Sequence, residues 1–397
     1  MSLNICMLLW EWPPQLQGGL GVHGYENSRA LAKLGCHVNV ITRFAVSSPV
    51  FQKEGRVRIY RVPEKRVVMT IPFNDFRAFL SANLAFNIAA TAKIIELEKE
   101  KRLDLCHVHD WLSAISGLSV KEALGKPMVF TVHSTESVRS GERGIESIRE
   151  LERLCAEKAD MIITVSNYIR QEVMKIGVSE EKIRVIYNGV DSRRFKPASE
   201  REKRKVKNKY KLDDCRVVLF LGRLDPSKGL DYLLRALPMV LEEEPETKVV
   251  IAGQGWLEPM LVTLAKLLGV EEHVVFAGYV PSNELPALYS TAEVFVSPSL
   301  CEPFGITLLE AMACRVAVVS TYTGGIPEFV KPMENGVLVD AHSPDQLAYA
   351  ITLLLQDEAL RHRLAENGRK TVEKDFTWEK TAMKTLKVYE EVLESSP

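Results

Sequence analysis

Two pairs of charged residues and a set of histidines stand out as groups able to do chemistry. In Gly222-Arg-Leu-Asp-Pro-Ser-Lys228-Gly229, Arg223 and Lys228 lie five apart on what reads as a turn after a strand. A guanidinium fork and an ammonium converging on one anion supply the donors and nearly the charge that a diphosphate needs, without a metal. The competing reading is a surface Arg and Lys on an ordinary loop. Glu302-Pro-Phe-Gly-Ile-Thr-Leu-Leu-Glu310 carries two carboxylates across a loop and the start of a helix. Eight residues rise ~12 Å in a helix and more when extended, against roughly 5 to 9.5 Å for the paired carboxylates of glycoside hydrolases. The spacing therefore suits the two ends of one long ligand. Gly305, Ile306 and Thr307 would offer amides between them, Glu310 would accept from a ribose diol, and Glu302 would reach a sugar.

His109-Asp110-Trp111 and the TVHSTE stretch containing His133 each close an apolar run. In an open sheet, residues at the carboxyl tips of strands face the ligand crevice, so two histidines beside an aspartate form a candidate site. One histidine alone is more often structural. Gly19-Leu-Gly21-Val-His-Gly24 fits G-x-G-x-x-G literally, yet eight residues separate it from the first apolar run, and Arg43 stands where a dinucleotide fold needs an acid. What survives is a glycine-rich turn, ahead of a helix near Tyr25, whose bare N–H groups can hold an anion. G-x-S-x-G, G-x4-G-K-[ST], H-E-x-x-H and D-x-D do not occur. Serine hydrolase, P-loop, zincin and metal-clamped sugar-nucleotide chemistries thus lose their usual signals.

The elements that must position these residues follow from the apolar pattern. Short Val/Ile/Leu runs recur at 5–10, 38–42, 105–109, 128–133, 161–166 and 183–187, then at 217–222, 249–253, 274–278, 294–297, 316–320 and 336–340. Continuous rather than alternating apolar runs mark strands covered on both faces, as in parallel sheets flanked by helices. Helical spacing fills the gaps, for example at 26–34, 231–243 and 345–355. Two doubly wound α/β domains are expected, with ligands beyond the carboxyl ends of the strands and two such edges facing across a cleft. The pattern breaks at 190–214, where Arg201, Lys203, Arg204, Lys205, Lys207, Lys209 and Lys211 make a locally basic stretch. It reads as a solvated helix opening the second domain; the functional alternative is contact with a membrane surface or a polyanion. A last helix, 377–393, has no strand after it and is free to return to the first domain.

The 397 residues exceed one ordinary core, and 46% hydrophobic with 26% charged residues describes a globular chain. Lys and Arg total 51 against 52 Asp and Glu, a net charge of −1, which argues against a nucleic-acid partner. Seven scattered cysteines without a C-x2-C pair read as free buried thiols in a reducing cytoplasm. The N-terminus reads as a first strand rather than a leader, and no uninterrupted apolar stretch approaches the ~20 residues that span a bilayer. A soluble cytoplasmic protein without a transmembrane segment is the expectation.

Pro13-Pro14 with Gly18-Gly19-Leu20, then HDW, TVHS, SNY, NGVD, GRL with KG at 228–229, GQG, the E-x7-E pair and GGIPE run in a fixed order over nearly the whole chain. In that order they resemble the family-4 retaining glycosyltransferases of the GT-B fold. Within that family HVHDW, FTVHSTE and CEPFG are most similar to the short archaeal and bacterial glycogen and starch synthases. The resemblance implies two Rossmann-like domains: an acceptor-side domain, 1–192, joined by the crossing helix 377–397, and a nucleotide-sugar donor domain, 193–376. It implies a metal-independent, retaining hexosyltransferase moving glucose from ADP- or UDP-glucose to an α-glucan, with the nucleotide-sugar as substrate and no cofactor. Arg223 and Lys228 would hold the diphosphate, Glu302 the donor sugar and Glu310 the ribose. Phe304, Gly305, Ile306 and Thr307 would line the donor site. His133 would contact the sugar, with Asp110 on the acceptor side. Gly18 and Gly19 would close over the diphosphate, and Tyr279 and Val280 would lie near the base. One departure concerns the K-x-G-G-L of bacterial glycogen synthases, whose Lys is Leu16 here. Another donor or acceptor, as in mannosyl transfer or disaccharide synthesis, fits the same motifs. A sugar-nucleotide 2-epimerase shares the fold but is disfavoured by TVHSTE and the E-x7-E core. A non-catalytic sensor is disfavoured by intact Arg223, Lys228, His133 and Glu302.

Overall fold

The computed structural model describes residues 2–15, 18–45, 48–63 and 76–395. It divides into two compact units, Met1–Asn188 with Trp378–Pro397, and Gly189–Thr377. The chain enters and leaves the second unit side by side, Val190 bridging Thr377 in parallel. The division thus falls at 188/189 rather than at 192/193.

The first unit is built on a sheet of order β3-β4-β2-β1-β5-β6-β7-β8. Its strands are β1 (Asn4–Leu9), β2 (His37–Arg43), β3 (Phe51–Glu54), β4 (Val57–Val62), β5 (Leu105–His109), β6 (Met128–Val132), β7 (Met161–Thr164) and β8 (Ile183–Val185). The continuous apolar runs become parallel strands, and β5 and β6 are buried along their whole length. The antiparallel β3–β4 pair is not visible in the pattern of apolar runs. FQKE has Phe51 as its one apolar residue and buries none of its four, while the VRIYRV run is broken by Arg58 and Arg61. Helix α1 (Gly19–Lys33) begins at Gly19, so the glycines expected in a turn before Tyr25 lie inside its first turns. The reason is packing: a Cβ at Gly24 would come within 2.5 Å of the Leu9 side chain, so glycine lets α1 sit close on β1.

Helix α2 (Phe76–Glu100) lies on the same unit, burying Asn83, Phe86, Asn87, Ala90, Ile94 and Leu97. By length and composition it is the one helix among the described residues that could cross a membrane. Phe86 packs edge-on to Trp10 and the Asn83 and Asn87 amides donate to Leu112 O. The C-terminal helix, Trp378–Ser395, packs against α1.

The second unit is an all-parallel sheet of order β11-β10-β9-β12-β13-β14. These are β9 (Arg216–Leu221), β10 (Thr247–Ala252), β11 (Val274–Gly278), β12 (Val294–Ser297), β13 (Ala317–Thr321) and β14 (Val337–Val339). Val218, Phe220, Val249, Ile251, Val294, Val296 and Val319 from the strands form its core with Leu233, Leu237, Leu347, Ile351 and Leu354 from covering helices. The basic stretch forms the helix Glu200–Tyr210, opened by a Ser199–Glu202 capping box and burying only Val206. None of the seven cysteines is in a disulfide, and five of them are buried.

Candidate active site

In both sheets the strand order reverses at one place, between β1 and β5 in the first and between β9 and β12 in the second. Loops leaving neighbouring strands in opposite directions open a crevice at their carboxyl ends, where ligands of such folds bind. Most of the residues singled out from the sequence lie at these two places; Tyr279 and Val280 instead follow β11, at the edge of the second sheet.

In the first unit, β5 ends at His109 and β6 runs out one residue before His133. Asp110 N donates to Thr131 O, and Asp110 Oδ1 accepts from His133 N at 2.7 Å, tying the two strand tips together. Asp110 holds φ 52° and ψ 175°, a conformation that side chains rarely adopt. Such strain costs on the order of 1–3 kcal/mol and persists where surrounding contacts enforce it. Burial raises the Asp110 carboxyl from 3.8 to about 6, against the opposing pull of Arg139 and of the His133 and Ser134 amides.

His133 stands in a buried group of four histidines. His109 Nδ1 lies 3.1 Å from His133 Nε2, and the His23 ring meets that of His133 edge-on at 4.7 Å. His107 is pinned between Thr131 Oγ1 and Tyr389 OH, each at 2.6 Å. Tyr389 belongs to the C-terminal helix, whose Trp378 also packs edge-on to His23. Burial lowers His23 and His133 from 6.5 to about 3, and His107 and His109 well below their usual value, so all four are neutral near pH 7. The motifs contain His23, His107 and Asn188 but do not point to their place in this group. His107 was legible, because it lies two residues before His109 and so on the same sheet face. His23 and Asn188 meet through a 2.7 Å hydrogen bond across 165 residues, which no local pattern encodes.

Gly18 caps α1 in extended conformation without a side-chain cap, and a Cβ there would meet nothing within 4 Å. Gly19 is the first residue of that helix. Leu16 lies outside the described residues.

In the second unit, Lys228 Nζ lies 2.7 Å from Glu302 Oε2 with both side chains largely buried, and Ser299 Oγ is 3.5 Å from the same oxygen. The loops after β9 and β12 interlock: Leu300 N donates to Ser227 O, and a Cβ at Gly229 (φ 61°) would come within 2.1 Å of Pro298 O. The loop after β13 closes on Glu302 from the other side. Gly325 N donates to Glu302 O, and a Cβ at Gly324 (φ 54°) would stand 1.9 Å from that oxygen. Arg223 does not share the lysine's partner; it is 61% exposed and lies 3.4 Å from Asp225. Asp225 caps the short turn that carries Lys228.

Gly305, in left-handed conformation, opens the helix Ile306–Ala313, placing Ile306 and Thr307 in its first turn with amides free for an anion. Phe304 is buried against Phe329. Glu310 is buried and accepts a 2.8 Å hydrogen bond from Tyr289 OH, a partner the sequence reading lacked. Tyr279 is exposed and Val280 buried just past β11.

Residues 17–194 match the family model described as Glycosyltransferase Family 4, and residues 200–371 the one described as Glycosyl transferases group 1. An uncharacterized glycosyltransferase of Methanocaldococcus jannaschii is 34% identical over 99% of both chains. The glycogen synthase of Mycobacterium tuberculosis is 31% identical over 98% of this chain and 94% of its own. Sucrose-phosphate synthase from Thermosynechococcus elongatus has the same fold, with a TM-score of 0.87, 24% identity and full coverage of both chains. The chain belongs to the family-4 glycosyltransferases and has the GT-B fold.

Proposed function

We propose that this glycosyltransferase moves glucose, with retention and without a metal, from ADP- or UDP-glucose to an α-glucan. The second unit would bind the donor and the first the acceptor. The observation that carries the reading is the Lys228–Glu302 pair at the strand reversal of the second unit, beside the amide-rich start of the helix Ile306–Ala313. Breaking a glycosyl–diphosphate bond builds negative charge on the leaving oxygen. Lys228 and these amides are fixed donors suited to that charge, worth several kcal/mol in a site closed to water, and the exposed Arg223 would join them on the diphosphate. Glu302, held against Lys228, would turn to the sugar as the diphosphate takes up the ammonium. His133 is neutral and would hydrogen-bond the sugar without repelling the positive charge that develops on its ring. The leaving phosphate would take the acceptor's proton on the same face, so no enzyme nucleophile is required.

The glucan acceptor is supported by the identity to a glycogen synthase along almost the whole chain and by the HVHDW, FTVHSTE and CEPFG motifs. Leu16 in place of the family's lysine is the feature against it. The deciding experiment incubates the protein with ADP-glucose, UDP-glucose or GDP-mannose, with and without a malto-oligosaccharide. Chain growth from a glucose donor supports the proposal. Transfer only from GDP-mannose, or only to a small acceptor, replaces it with another family-4 specificity, and epimer formation replaces it with an epimerase.

A further inference from the structure

The histidine group of the first unit has more ligating capacity than the proposed transfer uses. His23, His109 and His133 come from three different elements, and each offers a ring nitrogen within 4.8 Å of the other two. The 3.1 Å between His109 Nδ1 and His133 Nε2 is near the roughly 3.3 Å edge between two nitrogens each ~2.05 Å from a tetrahedral zinc ion. Asn188 Oδ1, an acceptor only, fixes the ring proton of His23 on Nδ1 and leaves the Nε2 lone pair for the cluster. A metal-ligating imidazole almost always donates its other ring N–H to an oxygen in this way.

Asn27 Oδ1 is buried without a hydrogen-bond partner, and so is His109 Nε2, which carries that ring's proton when Nδ1 is the ligand. Asn27 follows His23 by one turn of α1, its amide nitrogen 3.4 Å from His23 Nε2. Rotating that amide by half a turn exchanges its nitrogen for the unpartnered oxygen and supplies a fourth donor. Three imidazole nitrogens and one amide oxygen suit zinc and its neighbours, not the all-oxygen preference of Mg2+ or Ca2+.

We propose that His23, His109 and His133 form a binding site for a zinc-class divalent cation, and that the bound cation competes with the donor sugar for His133. The competition rests on the sugar-contact reading of His133; the binding does not.

The test uses the full chain freed of metal by chelator and dialysis. Zn2+ is titrated against a chromophoric competitor, and Co2+ serves as a spectroscopic probe. The expected results are one Zn2+ per chain and four-coordinate Co2+ bands without thiolate charge transfer, which separates the histidines from the seven cysteines. Affinity should fall at least tenfold in both His23→Gln and His109→Gln, and about 10–100-fold in Asn188→Ala. Three variants on different segments, each checked by circular dichroism, guard against one that fails to fold. Zn2+ should inhibit transfer competitively with the donor. Absence of stoichiometric Zn2+ binding, affinity unchanged in the folded variants, or thiolate bands with Co2+ would overturn the site. Zn2+ binding with undiminished transfer would overturn the competition. A chain that binds Zn2+ but transfers no sugar when metal-free would refute the transferase reading and leave the site standing.

Discussion

Asp110→Asn separates what this residue costs the fold from what it does in the site. Burial raises its carboxyl from 3.8 to about 6, about two units at ~1.36 kcal/mol each, or about 3 kcal/mol. The folded state holds the proton more tightly than the unfolded chain. The stabilising protonated form is therefore fully present below pH ~4 and is lost as pH rises to ~6; above that the charged carboxylate costs the whole amount. Asparagine has the same shape, cannot ionise, and keeps an oxygen for His133 N. Its amide cannot also accept from Ser134 N, a loss of about 1 kcal/mol. The variant should thus be about 2 kcal/mol more stable than the wild type at pH 8 and no more stable at pH 4, while transfer falls sharply. Urea unfolding followed by tryptophan fluorescence reads this out, because Trp10, Trp12, Trp111 and Trp378 belong to the first unit and only Trp256 to the second. An Asp110→Asn protein no more stable than wild type at pH 8, or a difference that does not change with pH, would refute the argument that burial strains this carboxylate.

Lys228→Ala and Arg223→Ala should each lower turnover by roughly 10²–10³ if both stabilise the leaving group; steady-state rates near wild type in both would remove that role. His133→Ala should reduce transfer while leaving the thermal midpoint of the second unit unchanged, and unimpaired transfer would take it off the site. Gly324→Ala forces a Cβ onto Glu302 O at positive φ and should destabilise the second unit by on the order of 3 kcal/mol in urea titration. His23 and His133 are held near pKa 3 against 6.5 in the unfolded chain. The stability gained by keeping them neutral should therefore drain away from pH ~6.5 toward ~3, a loss seen most cleanly in the Asp110→Asn background, where the opposing carboxyl is gone.

Every strand of the second unit and all but β3 and β4 of the first were legible, because strands covered on both faces must be written as unbroken apolar runs. The edge pair was not, since FQKE buries none of its residues and the VRIYRV run is interrupted by Arg58 and Arg61. The start of α1 was misplaced because glycines usually signal a turn, whereas here Gly24 answers to the nearness of Leu9. Lys228 and Glu302 could be named from their motifs, but their contact spans 74 positions and depends on β9 and β12 being neighbours at the strand reversal.

By itself the sequence determined the alternation of strands and helices, the loops that hold the charged residues, and the family order of the motifs. These are local matters, set by side-chain polarity against a period of two or 3.6. Only the tertiary structure decided which of those residues meet. It brought His23 to Asn188 and His107 to Tyr389, buried four imidazoles deeply enough to keep them neutral, and drove Asp110 into strained backbone and a raised pKa. Those properties belong to desolvation and to neighbours distant in the chain, and both come into being only when the sheet and the returning helix have packed.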